Sequence, residues 1–593
     1  MSILASLVKA YARLPDAPPF GYSVQNVGVI VGLNENGSVA SVTPWLDGEG
    51  KKRRPRPMLV PQPVKRTAGI APNFLWDKTS YVLGVTAGEG KRTTEEHAAF
   101  KERHERELAG TEDPGLKALL LFLRQWTPDQ FAAPRWGDDL KDQNVVFALE
   151  SDRLQGLWLH DRSAAKELCA RASVGDAEKP QICLVTGKAG PVARLHPAIK
   201  GVWGGQSSGG SIVSFNLDAF TSYGHEQGDN APVSEAAAFA YTTALNRFLE
   251  RDSGHRLQIG DASTVFWADA EDAEAALLAE ALFPQFFDPA KVETDTTTDV
   301  GILLERLRKG DQTLDKELAL KSGELARRMD KGVRFHVLGL APNAARISIR
   351  FYYENDFREL AANYQRFVSD MRIEPPWREP YAPLWRYLVE TAVLGKRENV
   401  PPSLGGEWMR TILEGLPFPL TLLSAVLSRI RADGEINALR ASILKAVLIR
   451  NFKKEAPVAL DPSETDKGYV LGRLFAVYEE IQRAALGDKV NATIKDKFYG
   501  SASATPRRVF GFLESGSANH LAKVRKQSPG RARNLQKLQD EIMDLMDPSR
   551  GPYPAFFSAD EQAFFGLGYH HQHSDFFKSR KGNQTDASGE TAQ

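Results

Sequence analysis

The residues best placed to do chemistry lie between His196 and Gly224. Gly204, Gly205, Gly209 and Gly210 flank Gln206, Ser207 and Ser208, so the backbone there is free to take positive φ and to approach another molecule closely. Its amides and small hydroxyls form a donor-rich surface suited to phosphate or sugar oxygens. The alternation from Ser211 to Phe215 predicts a strand that holds this loop at a sheet end. Gly205-Gln-Ser-Ser-Gly209 also matches the G-x-S-x-G nucleophile pattern. A hydrolase elbow needs a strand before that serine and a helix after it, whereas here proline, glycine and tryptophan precede Ser207 and a strand-like run follows. His160-Asp161 resembles the dipeptide of metal-dependent phosphohydrolases but lacks further His and Asp at ligand spacing. Gly187-Lys188 lacks the upstream glycine of a phosphate-cradling loop, since position 182 is isoleucine. His570, His571 and His573 have the right type for a transition metal, although histidines clustered near a chain end more often face solvent or a partner. The sequence therefore reads as non-catalytic and without a cofactor. A nucleic-acid hydrolase using Ser207, or His160 with Asp161, is the competing reading.

Charge is neutral overall and local in detail. The 593 residues carry 75 basic and 75 acidic side chains, so any attraction for a polyanion must be regional. Seven basic residues and no acid fall between positions 51 and 66: Lys51, Lys52, Arg53, Arg54, Arg56, Lys65 and Arg66, interleaved with prolines that forbid a regular helix. Thr67 to Tyr81 follows, where Asn73, Lys78 and Thr79 stand among Phe74, Trp76 and Tyr81. An asparagine amide can bond a base edge, and a lysine or arginine can bond phosphate or guanine. Residues 491 to 540 carry ten Lys/Arg against three Asp/Glu. The basic set is Lys495, Lys497, Arg507, Arg508, Lys523, Arg525, Lys526, Arg531, Arg533 and Lys537, a second cationic footprint.

The elements that must position these residues follow from periodicity. A chain of this length holds two or more domains. Met1 to Leu14 reads as an amphipathic helix stopped at Pro15, and no segment reaches the ~20 apolar residues of a membrane span. Two cysteines, Cys169 and Cys183, without CxxC spacing argue against a disulfide framework and for a cytoplasmic protein. Tyr22–Val31 and Val39–Val42 read as paired strands around Asn34-Glu-Asn-Gly37. Thr93–Leu123 reads as charged helix. Further strands are expected at Asn144–Leu149, Ile182–Val185, Gly260–Trp267, Val333–Leu340 and Ala345–Tyr353, with a helix from Val233 to Glu250. Beyond Glu354 helical periodicity dominates. The expected fold is α+β: a mixed α/β amino-terminal domain over 1–355, a helical bundle over 356–580, and a disordered tail over 581–593.

Four strings resemble the large subunit of the type I-C CRISPR Cascade complex: Arg66-Thr-x-Gly-Ile-x-Pro-Asn-Phe-Leu-Trp-Asp-x-Thr-Ser-Tyr-Val-Leu-Gly84, Gly201 to Gly224, Asn230-Ala-Pro-Val-Ser234 and Leu471-Gly-Arg-Leu-Phe-Ala-Val477. The likeness extends to Leu567-Gly-Tyr-His-His-Gln572 near the end of the chain. It implies a non-enzymatic subunit of a CRISPR-RNA-guided surveillance complex. Such a subunit reads the short PAM duplex, helps unwind target DNA into an R-loop, and supports recruitment of a separate helicase-nuclease. Its partners are then CRISPR RNA, PAM-bearing double-stranded DNA and the backbone, crRNA-processing and small subunits, with no membrane involved. On that basis Arg66, Thr67, Asn73, Lys78 and Thr79 are expected at the PAM duplex. Gly204, Gly205, Gln206, Ser207, Ser208 and Gly209 are expected at nucleic-acid backbone or at the opening fork. The resemblance further implies a small subunit made from an internal start. No methionine lies between Met409 and Met543, so that start falls on Val470 or Leu471. A general nucleic-acid adaptor outside CRISPR defence rests on the basic stretches alone.

Overall fold

The computed structural model describes residues 2–589, except 16, 49–52, 65–68, 173–180, 216, 260, 288–298, 310–315, 330–331, 378–381, 488–491 and 547–550. The chain divides into two compact units. One is Met1–Ala198 with Val213–Leu245; the other is Ile199–Ile212 with Asn246–Gln593.

The first unit opens with α1 (Ile3–Tyr11), capped by Ser2 Oγ, which accepts the Ala5 N–H. Next come β1 (Tyr22–Val27), β2 (Val29–Leu33), β3 (Val39–Pro44), β4 (Leu46–Asp47), β5 (Arg54–Pro61) and β6 (Trp76–Lys78). Helices α2 (Thr79–Val82), α3 (Thr93–Glu107) and α4 (Pro114–Gln125) precede β7 (Asn144–Leu149). Then follow α5 (Glu150–Arg153), α6 (Ser163–Ala172), the hairpin of β8 (Gln181–Ile182) and β9 (Ala189–Gly190), and α7 (Glu235–Leu249). The order β3-β2-β7-β6 makes one sheet, parallel only at β2–β7, and β1-β5-β4 makes a second. β2 and β7 read as continuous apolar runs because both their faces are covered. Val29, Val31, Val145 and Phe147 enter the core shared with α4, while Ile30 and Val146 meet Met58 and Val60 of β5.

Several expectations are corrected here. The single helix expected over Thr93–Leu123 is two, since Gly110 takes φ 77° and Asp113 caps a new start at Pro114. The proline-rich basic segment becomes β5, paired antiparallel with β1, because proline excludes helix more strongly than it excludes a strand of a short sheet. The strand expected over Ile182–Val185 shrinks to Gln181–Ile182.

The second unit holds the antiparallel sheet β10 (Arg256–Ile259), β11 (Ala262–Asp269), β12 (Arg334–Asn343) and β13 (Arg346–Asp356) in that spatial order. Helices α8 (Ala273–Phe287), α9 (Asp299–Lys309) and α10 (Lys316–Met329) intervene between β11 and β12. The rest is helical: α11 (Phe357–Met371), α12 (Leu384–Val389), α13 (Pro402–Glu414), α14 (Leu420–Asp433), α15 (Ala438–Phe452), α16 (Lys467–Leu486), α17 (Ile494–Ala504), α18 (Phe510–Gln527), α19 (Pro529–Met543) and α20 (Ala559–Gly589). The fold is thus α+β as expected. The division near residue 355 does not separate two cores, however. β13 runs straight into α11, and one apolar cluster joins Phe266 and Phe335 of the sheet to Phe475 and Phe565 of the bundle. Of the tail over 581–593, residues 581–589 belong to α20 and 590–593 lie outside the described residues.

Candidate nucleic-acid interface

Residues 199–212 form a closed bend on the second unit. Ile199 and Gly210 exchange both backbone hydrogen bonds, at 2.8 and 2.9 Å, and seal its base. Ser211 donates to the Ala345 carbonyl and accepts from the Ile347 N–H, at 3.2 and 3.0 Å, which seats the bend on the β12–β13 hairpin. The Trp203 N–H donates to Ser263 Oγ of β11 at 2.9 Å. Ser263 pairs with Leu340, close to that hairpin's tip, so the loop does sit at a sheet end. The expected strand over Ser211–Phe215 is absent: isolated bridges do the work, because the ladder ends after one residue. Gly204 and Gly209 take φ of 72° and 87°, which L side chains adopt only at a cost.

Two turns shape the tip, Gly205 N–H to the Val202 carbonyl and Gly209 N–H to the Gln206 carbonyl. Residues 203–208 are exposed, Trp203 by 63%. Among the described residues, the amides of Gln206, Ser207 and Ser208 have no protein acceptor. Three free donors on a rigidly seated bend can receive an anionic or carbonyl oxygen at no cost in broken internal bonds. Ser207 has no histidine or carboxylate hydrogen-bonded to it among the described residues.

The segment expected at the PAM duplex is organised differently from the sequence reading. Arg66 and Thr67 lie outside the described residues, as do Lys51, Lys52 and Lys65. Asn73 is only 4% exposed. Its Oδ1 accepts the Val64 N–H at 3.0 Å, and its own N–H donates to Asp77 Oδ2 at 2.8 Å. Thr79 is fully buried, its Oγ1 accepting the Asp142 N–H at 2.8 Å. Asn73 Oδ1 and Thr79 Oγ1 each accept a backbone N–H inside the unit, which makes both side chains positioning groups for their own backbone. Only Lys78 of the five displays its side chain to solvent among the described residues.

The Val64–Asn73 hydrogen bond ties Asn73 to the chain that leaves β5. His104 clamps the same motif. The Leu75 N–H donates to its Nε2 at 2.8 Å, and Nδ1–H donates to the Phe100 carbonyl at 2.7 Å. Its ring stacks on Phe74, with centroids 5.6 Å apart. Burial lowers its pKa to about 3, so it stays neutral. Trp76 Nε1–H donates to the Pro61 carbonyl at 2.7 Å, and Arg103 Nη1 reaches the Pro72 carbonyl. Nothing in residue types alone pointed to His104.

Arg53 and Arg54 are exposed at the start of β5, while Arg56 pairs with Asp47 at 2.7 Å and covers the Trp45 ring. The carboxyl-terminal basic set maps to α17, α18 and α19. Arg531 is neutralised by Glu480 at 2.8 Å and Lys537 pairs with Glu541 at 3.4 Å. Lys495 lies over the Tyr569 ring at 5.8 Å, and Arg507 Nε donates to the Tyr553 carbonyl at 3.2 Å. Lys497, Arg508, Lys523, Arg525, Lys526 and Arg533 are exposed and make no ion pair among the described residues. Four of these surround the α18–α19 corner, which Val524 and Ala532 pin against Ala485 of α16.

The two carboxyl-terminal strings singled out in the sequence meet each other. α16 and α20 cross so closely that a Cβ on Gly472 would lie 2.9 Å from the Phe565 carbonyl carbon and the Tyr569 nitrogen, and one on Gly568 would lie 2.9 Å from the Tyr469 carbonyl carbon. Arg473 Nε donates to Gln572 Oε1 at 3.1 Å, Tyr569 OH to Glu479 Oε2 at 2.5 Å, and Tyr469 OH is hydrogen-bonded to His571 Nδ1 at 2.9 Å. His570 donates to the Ile436 carbonyl at 3.1 Å, and His573 stacks on Tyr569. The histidines, expected at the surface, are packing groups: His570 and His571 are buried. His160 is likewise fully buried, its pKa lowered to about 3 by burial, and Asp161 accepts the Trp158 N–H. Asn230 Nδ2 donates to the His225 and Gln227 carbonyls, and Ser234 caps α7 through the Ala237 N–H.

Taken together, fold and surface define a two-unit α+β protein that presents a seated glycine bend and a cationic helix corner to solvent. The chain belongs to the Cas_Csd1 family of CRISPR-associated proteins, which it matches over residues 7–577. No curated protein matches it. Among the described residues no helix is long and apolar enough to cross a membrane.

Proposed function

We propose that this CRISPR-associated protein is the large subunit of a type I-C CRISPR-RNA-guided surveillance complex, without chemistry of its own. It holds PAM-bearing duplex DNA, helps open the R-loop, and supports recruitment of the helicase-nuclease in the cytoplasm, with CRISPR RNA and the other Cascade subunits as partners. In such systems base pairing carries most sequence information, while protein reads a short duplex motif and grips backbone. Family membership over nearly the whole chain supports the CRISPR setting. The observation that carries the docking role is the cluster Lys523, Arg525, Lys526 and Arg533 on one corner, exposed and without ion pairs among the described residues, which favours a polyanion.

The test is salt dependence. Replacing those four by glutamine should reduce the slope of log K against log salt by about 3 to 4 on duplex DNA, since each phosphate contact contributes about 0.9. An unchanged slope refutes the role of the corner.

A small subunit starting at Val470 or Leu471 would begin in the first turn of α16 and comprise α16–α20. It keeps the cationic corner and the Gly472 side of the α16–α20 crossing, against Phe565 and Tyr569, but loses Tyr469, which Gly568 and His571 contact. It loses the cover of α15, whose Leu444 fills the space above Gly566, and the Ile436 acceptor of His570. Such a fragment therefore needs a neighbour on that face. A purified complex containing the full-length chain and no such fragment would remove this proposal.

A further inference from the structure

One face of α18 repeats polar and aromatic groups at helical spacing. Phe512, Gly516, Asn519, Lys523 and Lys526 are separated by four, three, four and three residues, so they fall on a single stripe. Arg508 ends the short 3-10 turn Pro506–Arg508 that precedes α18. Phe512, Asn519, Lys523 and Lys526 are all exposed, and the opposite face, Phe510, Leu513, Ser517, Leu521 and Val524, is buried. The stripe is thus the solvent side of a firmly packed helix.

Phe512 is 66% exposed, although it contacts the Phe498 ring of α17 at 5.6 Å. A Cβ on Gly511 or Gly516 would meet nothing within 4 Å, so the space around the ring is open. The nearby acids are engaged: Asp496 accepts the Thr493 N–H in the α17 cap, and Glu514 accepts from Tyr553 OH. Lys497, next to Phe498 in sequence, and Arg508, four residues before Phe512, are exposed and make no ion pair among the described residues. From Phe512 to Lys523 the helix rises about 16 Å. An uncovered ring among uncompensated cations complements a chain that has anionic phosphates and unstacked π-faces. Duplex DNA offers the first but not the second.

We propose that this stripe is a single-strand binding track in which Phe512, backed by Phe498, stacks a base while Lys523 and Lys526 hold phosphates two or more nucleotides further along. It rests on the docking role of the carboxyl-terminal basic set and adds a preference beyond the phosphate contacts that a duplex also offers: an unpaired strand whose base can stack on Phe512.

The full chain is titrated with a single-stranded oligonucleotide carrying 2-aminopurine and with a duplex of the same sequence. Phe512→Leu should weaken single-strand binding about tenfold and abolish the stacking quench, in line with the loss of one stacked base. Its salt slope and duplex affinity should be unchanged, and Phe512→Trp should retain binding. Lys523→Gln with Lys526→Gln should lower the single-strand slope by about 1.4. Equal losses on both oligonucleotides for Phe512→Leu, or no loss on either, overturn the stacking track. If the lysine pair still lowers the slope, the underlying docking role survives; if it does not, that role fails too. Weakened assembly with other subunits at constant nucleic-acid affinity would make the stripe a protein contact, which also overturns the proposal.

Discussion

Replacing Gly472 by alanine tests the core of the bundle. In a free helix this change is favourable by about 1 kcal/mol, because glycine carries the larger conformational entropy. Here the new Cβ would sit 2.9 Å from two backbone atoms of α20 and closer still to the Phe565 oxygen, against an ordinary contact of about 3.5 Å. Neither side can yield by a rotamer change, so α16 and α20 must separate. Overpacking of this kind costs about 1 to 3 kcal/mol. With backbone on both sides the upper end applies, leaving a net loss of about 2 kcal/mol after the propensity gain. Hydrogen exchange of α16 and α20 amides should accelerate about 30-fold, since 1.4 kcal/mol is a factor of ten. Gly516→Ala is the internal control. Its Cβ meets nothing within 4 Å, so it should slow exchange in α18. If Gly472→Ala protects as Gly516→Ala does, the two helices do not touch through their backbones and the account of both carboxyl-terminal strings collapses.

Acid should unlock the Asn73 segment through His104. The group has a pKa of 6.5 when unfolded and about 3 when buried, so the unfolded chain binds the extra proton first and stability falls as pH drops from about 6.5 toward 3. His104→Gln should reduce the pH dependence of the urea midpoint in that window to that left by His160 and the other buried histidines, and an unaltered slope would show that His104 is not a titrating group. Asn73→Ala removes the bond to the Val64 N–H, and should cost about 1 to 2 kcal/mol locally, seen as faster exchange of the Val64 amide. Unchanged exchange there would refute the positioning role of Asn73. The salt slope of the α18–α19 corner variant and the strand selectivity of Phe512→Leu complete the set.

Much of the framework was legible locally. Asn34-Glu-Asn-Gly37 makes the expected turn, with Gly37 at φ 82° against the backbone of α4, and α11 begins and ends at the expected residues, Phe357 and Met371. The glycine bend was legible as an exposed, seated loop because its composition permits little else. What its own residues did not reveal was the means of seating, which depends on Ser263 and on the β12–β13 hairpin.

Residue type set what each side chain is able to do; burial set whether it is free to do it. Asn73 and Lys78 have equal claims on DNA by chemistry, yet one is spent on Val64 and the other faces water. Leu471–Val477 and Leu567–Gln572 read as two unrelated motifs because periodicity reports the face of a helix and not its partner. Their meeting, through glycines that let two backbones touch, exists only once the intervening helices have folded around them. The sequence alone determined the helices, the turns and the inventory of charges. Tertiary packing decided which donors and cations remain unspent, because each internal hydrogen bond or ion pair withdraws a group from the surface.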